Sequence, residues 1–381
     1  MYNFTHKSMG KGAGRALSPL MQGGNVKFTW ARIPVILVVL GLIVASCSIS
    51  PTEGNPANPP SSTEEPANGP SGRLVVYSGR SEPLIQPVLE RFKSHNPDIE
   101  ILLKSGSNSE LANALLEEQN NPQADVFITT EVFTIQALQQ AGVLQGYSSE
   151  AAAGLPSRAI GPNNEWHGLT QRARVIMYNT DLVPEDEAPR SIFELSDPKW
   201  RGQVASANST NGSLQAQVAA MRQLVGEDAT GNWLQSMLSN DVTWFGGHTD
   251  VRKAVGMGEF KLGLVNHYYY HLQKDEGSPV GIVFPDQGEG EIGLLTNLTS
   301  VGIIQGSRNL PAAQALVDFL LSAEGQELFA SLNYEYPLRS GVPLHPDVQA
   351  LEGFQLADVD IVRAVRERDE TFDLMERVGI P

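Results

Sequence analysis

Between residues 73 and 141 the chain alternates short apolar runs with segments of helical period, which restricts this stretch to a sheet of mostly parallel strands flanked by helices. Residues 74–77 read as a strand and Ser78, Gly79, Arg80 and Ser81 as a turn. Residues 82–94 then read as a helix, with Leu84, Ile85, Val88, Leu89 and Phe92 at helical spacing. Ser81 stands where an N-cap belongs and Pro83 lies in the first turn, where a missing N–H costs little. The unit repeats: strand 99–103, polar turn 105–109, helix 110–119, strand 124–128, then Thr129, Thr130 and a helix from Glu131 to residue 141. In a β-α-β-α-β series ligand contacts collect at the carboxyl ends of the strands, so these turns should aim N–H groups and hydroxyls at one crevice.

A second series follows. Residues 168–178 read as a strand in which Arg172 and Arg174 share a face by period-two alternation. Two guanidiniums aimed the same way suggest an anion; the competing reading is ion pairs with some of the 43 acidic residues. Beyond Tyr178 the pattern predicts a strand at 200–206, helices at 214–224, 228–238 and 251–257, and a strand from Leu262. Asn211, Gly212, Ser213 and His248 fall at strand-to-helix junctions, where His248 would serve as a polar cap.

The Leu262 segment runs into His267, Tyr268, Tyr269 and Tyr270. Free phenols, with a pKa near ~10, are poor ligands. A trivalent hard cation would take them as phenolates, so Tyr268 and Tyr269 could hold Fe(III). The alternative is that consecutive tyrosines on a strand alternate faces, one buried and the next stacking on solvent or a sugar.

Upstream, Lys27 and Arg32 precede an apolar run at 33–44 that ends in small residues before Cys47, the one cysteine in the sequence. This resembles a bacterial lipoprotein signal, cut before a cysteine whose sulfur is then lipidated, and the apolar run falls short of the ~20 residues needed to span a bilayer. Residues 1–46 are expected to be the signal and 47–72, rich in Pro, Ser, Asn and Gly, a lipidated disordered tether. The first 46 residues carry five of the 27 basic residues and none of the 43 acidic ones, so the mature chain has a formal charge near −21. Such a charge argues against nucleic acid and anionic lipid as partners. Gly288 to Gly293 satisfies the dinucleotide fingerprint literally, but it follows no strand and puts two glutamates where pyrophosphate would sit. No zinc-protease pair, phosphate-cradling Gly-Lys-Ser/Thr loop or nucleophile elbow is found, which argues against an enzyme.

The ordered series Val76-Tyr-Ser-Gly79, Lys104-Ser-Gly106, Ala124-Asp-Val-Phe127, Arg172-x-Arg174-Val-x-x-Tyr178, Asp197-Pro-Lys-Trp-Arg-Gly202, Asn266-x-Tyr268-Tyr269 and Glu335-Tyr-Pro-Leu-Arg339 resembles the periplasmic ferric-ion-binding proteins over residues 73–381. These are the iron receptors of ABC importers, within the extracellular solute-binding proteins. The resemblance implies a two-lobed α/β fold of the type II periplasmic-binding class, each lobe a mixed, mostly parallel sheet flanked by helices, joined by a two-strand hinge. The expected lobes are 73–174 with 299–349, and 175–298 with 350–381. Together with the lipoprotein-type signal it implies a lipid-anchored extracytoplasmic monomer that delivers Fe(III) to an ABC permease. The alternative is the same scaffold binding a phosphonate, polyamine or sugar.

Carried over position by position, Tyr268 and Tyr269 match the ferric ligands, and Asn266 a neighbour that contacts the bound anion. Asn211, Gly212 and Ser213 match a helix N-terminus that takes a synergistic carbonate or phosphate. Arg172 or Arg174 joins that anion, and Ser78, Gly79, Arg80, Ser81 and His248 fill out the anion-binding set. The chain also departs from the pattern. Many relatives have a histidine where Ser81 stands and some a further tyrosine at 211–213; Thr130 aligns with a carboxylate ligand of some members, with Glu131 one residue on. The remaining ligands are therefore expected from the anion, water, Glu131 or Tyr270.

Overall fold

The computed structural model describes residues 69–381; the expected signal, Cys47 and the part of the expected tether before residue 69 lie outside the described residues. β1 (Gly72–Ser78), β2 (Ile99–Ser105) and β3 (Val126–Thr129) form a parallel array ordered β2-β1-β3. They alternate with α1 (Glu82–His95), α2 (Asn108–Glu117) and α3 (Val132–Gln140), as the apolar periodicity predicts. After a short β4 (Leu144–Gln145) comes β5 (His167–Asn179), thirteen residues and buried throughout.

β5 belongs to two sheets. Its residues 167–173 pair antiparallel with β10 (Thr296–Ile304), which connects to β3, whereas Arg174 to Tyr178 pair antiparallel with β8 (Leu262–Asn266). The exchange falls between Ala173, opposite Thr296, and Arg174, opposite Asn266. The second sheet continues in parallel through β6 (Val204–Ala207) to β7 (Thr243–Phe245), and β9 (Val280–Val283) pairs with β5. Its helices are α4 (Gly212–Leu224), α5 (Glu227–Ser239), α6 (His248–Gly256) and α7 (His267–Asp275). α8 (Leu310–Leu321), α9 (Ala323–Asn333) and β11 (Tyr336–Pro337) return to the first sheet. The two-lobed, mixed-sheet expectation thus holds.

Each sheet carries its own core. Leu74, Val76, Ile85, Phe92, Leu316 and Phe329 fill one side of the first sheet, and Phe127, Ile135 and Trp166 the other. Trp200, Leu214, Trp233, Leu262 and Leu374 fill the second lobe. The C-terminal segment forms two helices, α10 (Ile361–Arg366) and α11 (Arg368–Val378), broken at Glu367. The break lets Ala364 and Val365 turn toward α3 while Thr371, Leu374 and Met375 face α4 and α5, which one straight apolar stripe could not do.

Candidate metal and anion centre

β8 passes into α7 with no intervening loop, so the tyrosines stand on the first turn of a helix and not at the end of a strand. Successive helical residues turn by about 100°, which separates the three phenols. Tyr268 and Tyr269 lie side by side, ring centroids 4.2 Å apart and tilted by 32°, with Tyr268 buried. Tyr270 turns away to pack on His271 at 4.9 Å and beneath the Lys274 ammonium, off the cavity that its neighbours line, which removes it from the expected ligand set.

That cavity measures about 80 Å³. Gly79, Arg80, Ser81, Leu84 and Thr130 reach it from the strand-to-helix turns of the first lobe and Arg172 from β5. Asn211, Ser213 and His248 reach it from the starts of α4 and α6, and Tyr268 and Tyr269 from α7. Ser81 occupies the N-cap position of α1 yet makes no capping bond, which leaves its hydroxyl for the cavity. Asn211 does cap, its side chain accepting from Ser213 N at 3.0 Å. Thr130 is held by Asn108, whose Nδ2 donates to Thr130 Oγ1 at 2.8 Å and whose Oδ1 accepts from Thr130 N at 3.2 Å. Thr130 was legible as a junction residue aligned with a ligand position of the family, and Leu84 as a site residue not at all, since it belongs to an ordinary apolar stripe.

Three guanidiniums surround this space. Arg80 is buried and paired with Glu335, which also accepts from the Thr170 hydroxyl; Arg80 further donates to Thr299 Oγ1 at 3.2 Å. Burial opposes the charge on Arg80, but Glu335 outweighs it and raises the pKa. Glu335 was visible in the sequence as a motif residue, with no signal for this role. Arg172 and Arg174 are buried with no carboxylate in ion-pair reach among the described residues. Arg174 Nε donates to Gln217 Oε1 at 3.1 Å, and Nη1 to His248 Nε2 at 3.0 Å and Asn266 Oδ1 at 3.2 Å. Burial, then repulsion from Arg172, lowers its pKa to about 9, so it stays charged at neutral pH.

His248 is not the cap expected of it; Gly247 takes the N-cap position and the imidazole turns inward. Burial and the two arginines hold its pKa well below the usual range. It is therefore neutral, and because arginine can only donate, Nε2 accepts and Nδ1 carries the proton. Tyr269 stacks edgewise on it at 5.3 Å. Burial, then Tyr268, raises the Tyr269 pKa well above its ordinary value.

Several expected residues stand just behind the cavity. Asn266 bridges Arg174 and Ser213 Oγ, to which its Nδ2 donates at 3.3 Å. Ser78 Oγ accepts from Arg80 N at 3.1 Å and so shapes the turn. Gly212 faces the first lobe, where a Cβ would come within 2.8 Å of Glu131 Cγ and 2.9 Å of Asn108 Nδ2. Glu131 is removed from the ligand set: its carboxylate accepts from Phe133 N at 2.6 Å and Thr134 N at 2.9 Å as the cap of α3, and it does not line the cavity.

Among the described residues no group of three His, Cys, Asp or Glu side chains comes together as a metal site. What converges instead is two phenols, two buried cations without counter-charge, and hydroxyl and amide donors. That set suits a small, highly charged cation bound through phenolates together with a small oxyanion.

Residues 121–364 match the model of a family described as bacterial extracellular solute-binding protein. Iron uptake protein A1 of Synechocystis is 31% identical over 329 residues, covering 84% of this chain and 88% of that protein. Among solved structures, iron-bound HitA from Pseudomonas aeruginosa superposes with a TM-score of 0.74 at 28% identity, over 81% of this chain and 99% of that one. A Trichodesmium IdiA/FutA structure in complex with iron and citrate ligands gives 0.66 at 27% identity, over 81% and 100%.

Proposed function

The chain belongs to the bacterial extracellular solute-binding proteins, which are not enzymes, and on that footing we propose that it captures Fe(III) with a synergistic carbonate or phosphate and delivers it to an ABC permease. The observation that carries this reading is the pairing of Tyr268 and Tyr269 on one helical turn, over a cavity lined by Arg172, which like Arg174 two residues on has no carboxylate in ion-pair reach among the described residues. Fe(III) with two phenolates carries one positive charge, and the two arginines add two more, so an anion is required on charge alone. Arg172, Ser81 and the Asn211–Ser213 turn are the donors to hold it.

The relatives' names support the cargo: an iron uptake protein and an iron-bound structure are among them. Two phenols held side by side beside buried guanidiniums favour a metal ion with an oxyanion over the organic-solute alternative. In this reading residues 73–174 with 299–349 form one lobe, 175–298 with 350–381 the other, and the monomer is tethered outside the cytoplasm by lipid on Cys47.

Ferric titration of the mature chain is expected to raise a visible phenolate-to-iron charge-transfer band. Replacing Tyr268 and Tyr269 together by Phe keeps ring packing and should abolish the band, with binding weakened at least 100-fold. With Ser81 in place of a histidine, affinity should also fall in carbonate-free, phosphate-free buffer. A colourless wild-type protein, or a double variant that binds iron normally, would sink the proposal.

A further inference from the structure

A second cavity, about 330 Å³, is separated from the first by Arg174 and Ser213. Its walls are apolar and come from both lobes and the C-terminal segment: Phe133 on α3, Ala216 and Ala220 on α4, Leu298 on β10, then Val359 and Ile361. Two of its lining residues carry a buried donor without an acceptor. Arg174 Nη2 is buried and has no partner, its other nitrogens being engaged with Gln217, His248 and Asn266. Asn297 Oδ1 accepts from Val132 N at 3.3 Å and Leu298 N at 2.8 Å, which fixes the amide and leaves Nδ2 buried without an acceptor. Arg158 also lines the cavity, its guanidinium tied to Gln171 Oε1 at 2.9 Å. Asp358, the acidic residue in the lining, is solvent-exposed.

We propose that this cavity binds a small monocarboxylate with an apolar body, its carboxylate on Arg174 and Asn297 and its body against α3 and α4. A buried donor with no acceptor is costly, and a carboxylate satisfies two such donors while its hydrocarbon part fills a volume in the range of small-molecule sites. Because α3 and α4 lie in different lobes, the ligand favours the arrangement in which they face each other, which couples it to closure on the cargo. Only this coupling rests on the ferric reading; the site does not.

The probe is benzoate, titrated calorimetrically into the mature chain with and without iron, against benzyl alcohol as a neutral isostere. Saturable benzoate binding is expected, at least 10-fold tighter than benzyl alcohol and tighter in the iron-loaded form. Ala220→Phe, which fills the cavity from a residue outside the phenol site, should abolish it while circular dichroism stays native. Ala216→Leu, one turn earlier on the same face, gives the same reading if the larger substitution fails to fold. Absence of benzoate binding, undiminished binding in a folded filled variant, or equal affinity for benzyl alcohol would overturn the site. Benzoate binding that is indifferent to iron overturns the coupling and leaves the site standing.

Discussion

At the scale of single residues the centre is built on buried charges whose partners lie outside the cavity. Glu335 is fully buried and is the only carboxylate paired with Arg80 among the described residues. Glu335→Gln would strand a buried guanidinium, at a cost of about 3 kcal/mol, and the denaturant midpoint should fall with the slope unchanged. An unshifted midpoint would show that Arg80 finds compensation elsewhere. Asp286 offers a pH test remote from the phenols. Burial, against the opposing bonds from Ser191 Oγ and Ile192 N, raises its pKa from 3.8 to about 6. The folded state then holds the proton more tightly than the unfolded chain, so this stabilisation is complete below pH 3.8 and is lost as pH rises through about 6. Asp286→Asn keeps a residue type that tolerates the local φ of 61°. The melting-temperature advantage of wild type over this variant should shrink across that window, and a constant difference would refute the assignment.

At the scale of elements, the junctions between strands and helices separate into those that serve the helix and those that serve the site. Ser107 caps α2 in a reciprocal box with Glu110, and Glu131 caps α3, whereas Ser81 and Asn266 stand at N-cap positions without capping. The β-α-β register was legible because apolar spacing sets it, and so was the common face of Arg172 and Arg174. The helical placement of the tyrosines was not: Asn266 gives its side chain to Arg174 and Ser213, and three adjacent phenols carry no helical period. Nor could sequence say whether Glu131 faced the cleft or its own helix, since an acidic residue before a helix suits both. The turn after β1 is tight against α2, where a Cβ on Gly79 would come within 1.7 Å of Asn108 Oδ1. Gly79→Ala should therefore push Asn108 off Thr130, destabilise the fold by ~1–3 kcal/mol and weaken ferric binding, read together by thermal unfolding and titration.

At the scale of the molecule, two lobes share one strand and meet across the cavity. Gly212, on the second lobe, lies where a side chain would press on Glu131 and Asn108 of the first. Gly212→Val should leave each lobe folded, and the metal-free melting temperature near wild type, while ferric affinity drops at least tenfold. Small-angle scattering should find no compaction on adding iron; normal compaction would place the lobe contact elsewhere. β5 lends this arrangement a mechanical character. The change of partner strand falls at the Ala173–Arg174 peptide, so that Arg172 belongs to the half paired with β10 and Arg174 to the half paired with β8. In the proposed transport cycle any opening of the halves would therefore shift both guanidiniums relative to the phenols together, which would make unloading a matter of leverage along a shared strand rather than of separate bonds broken one by one.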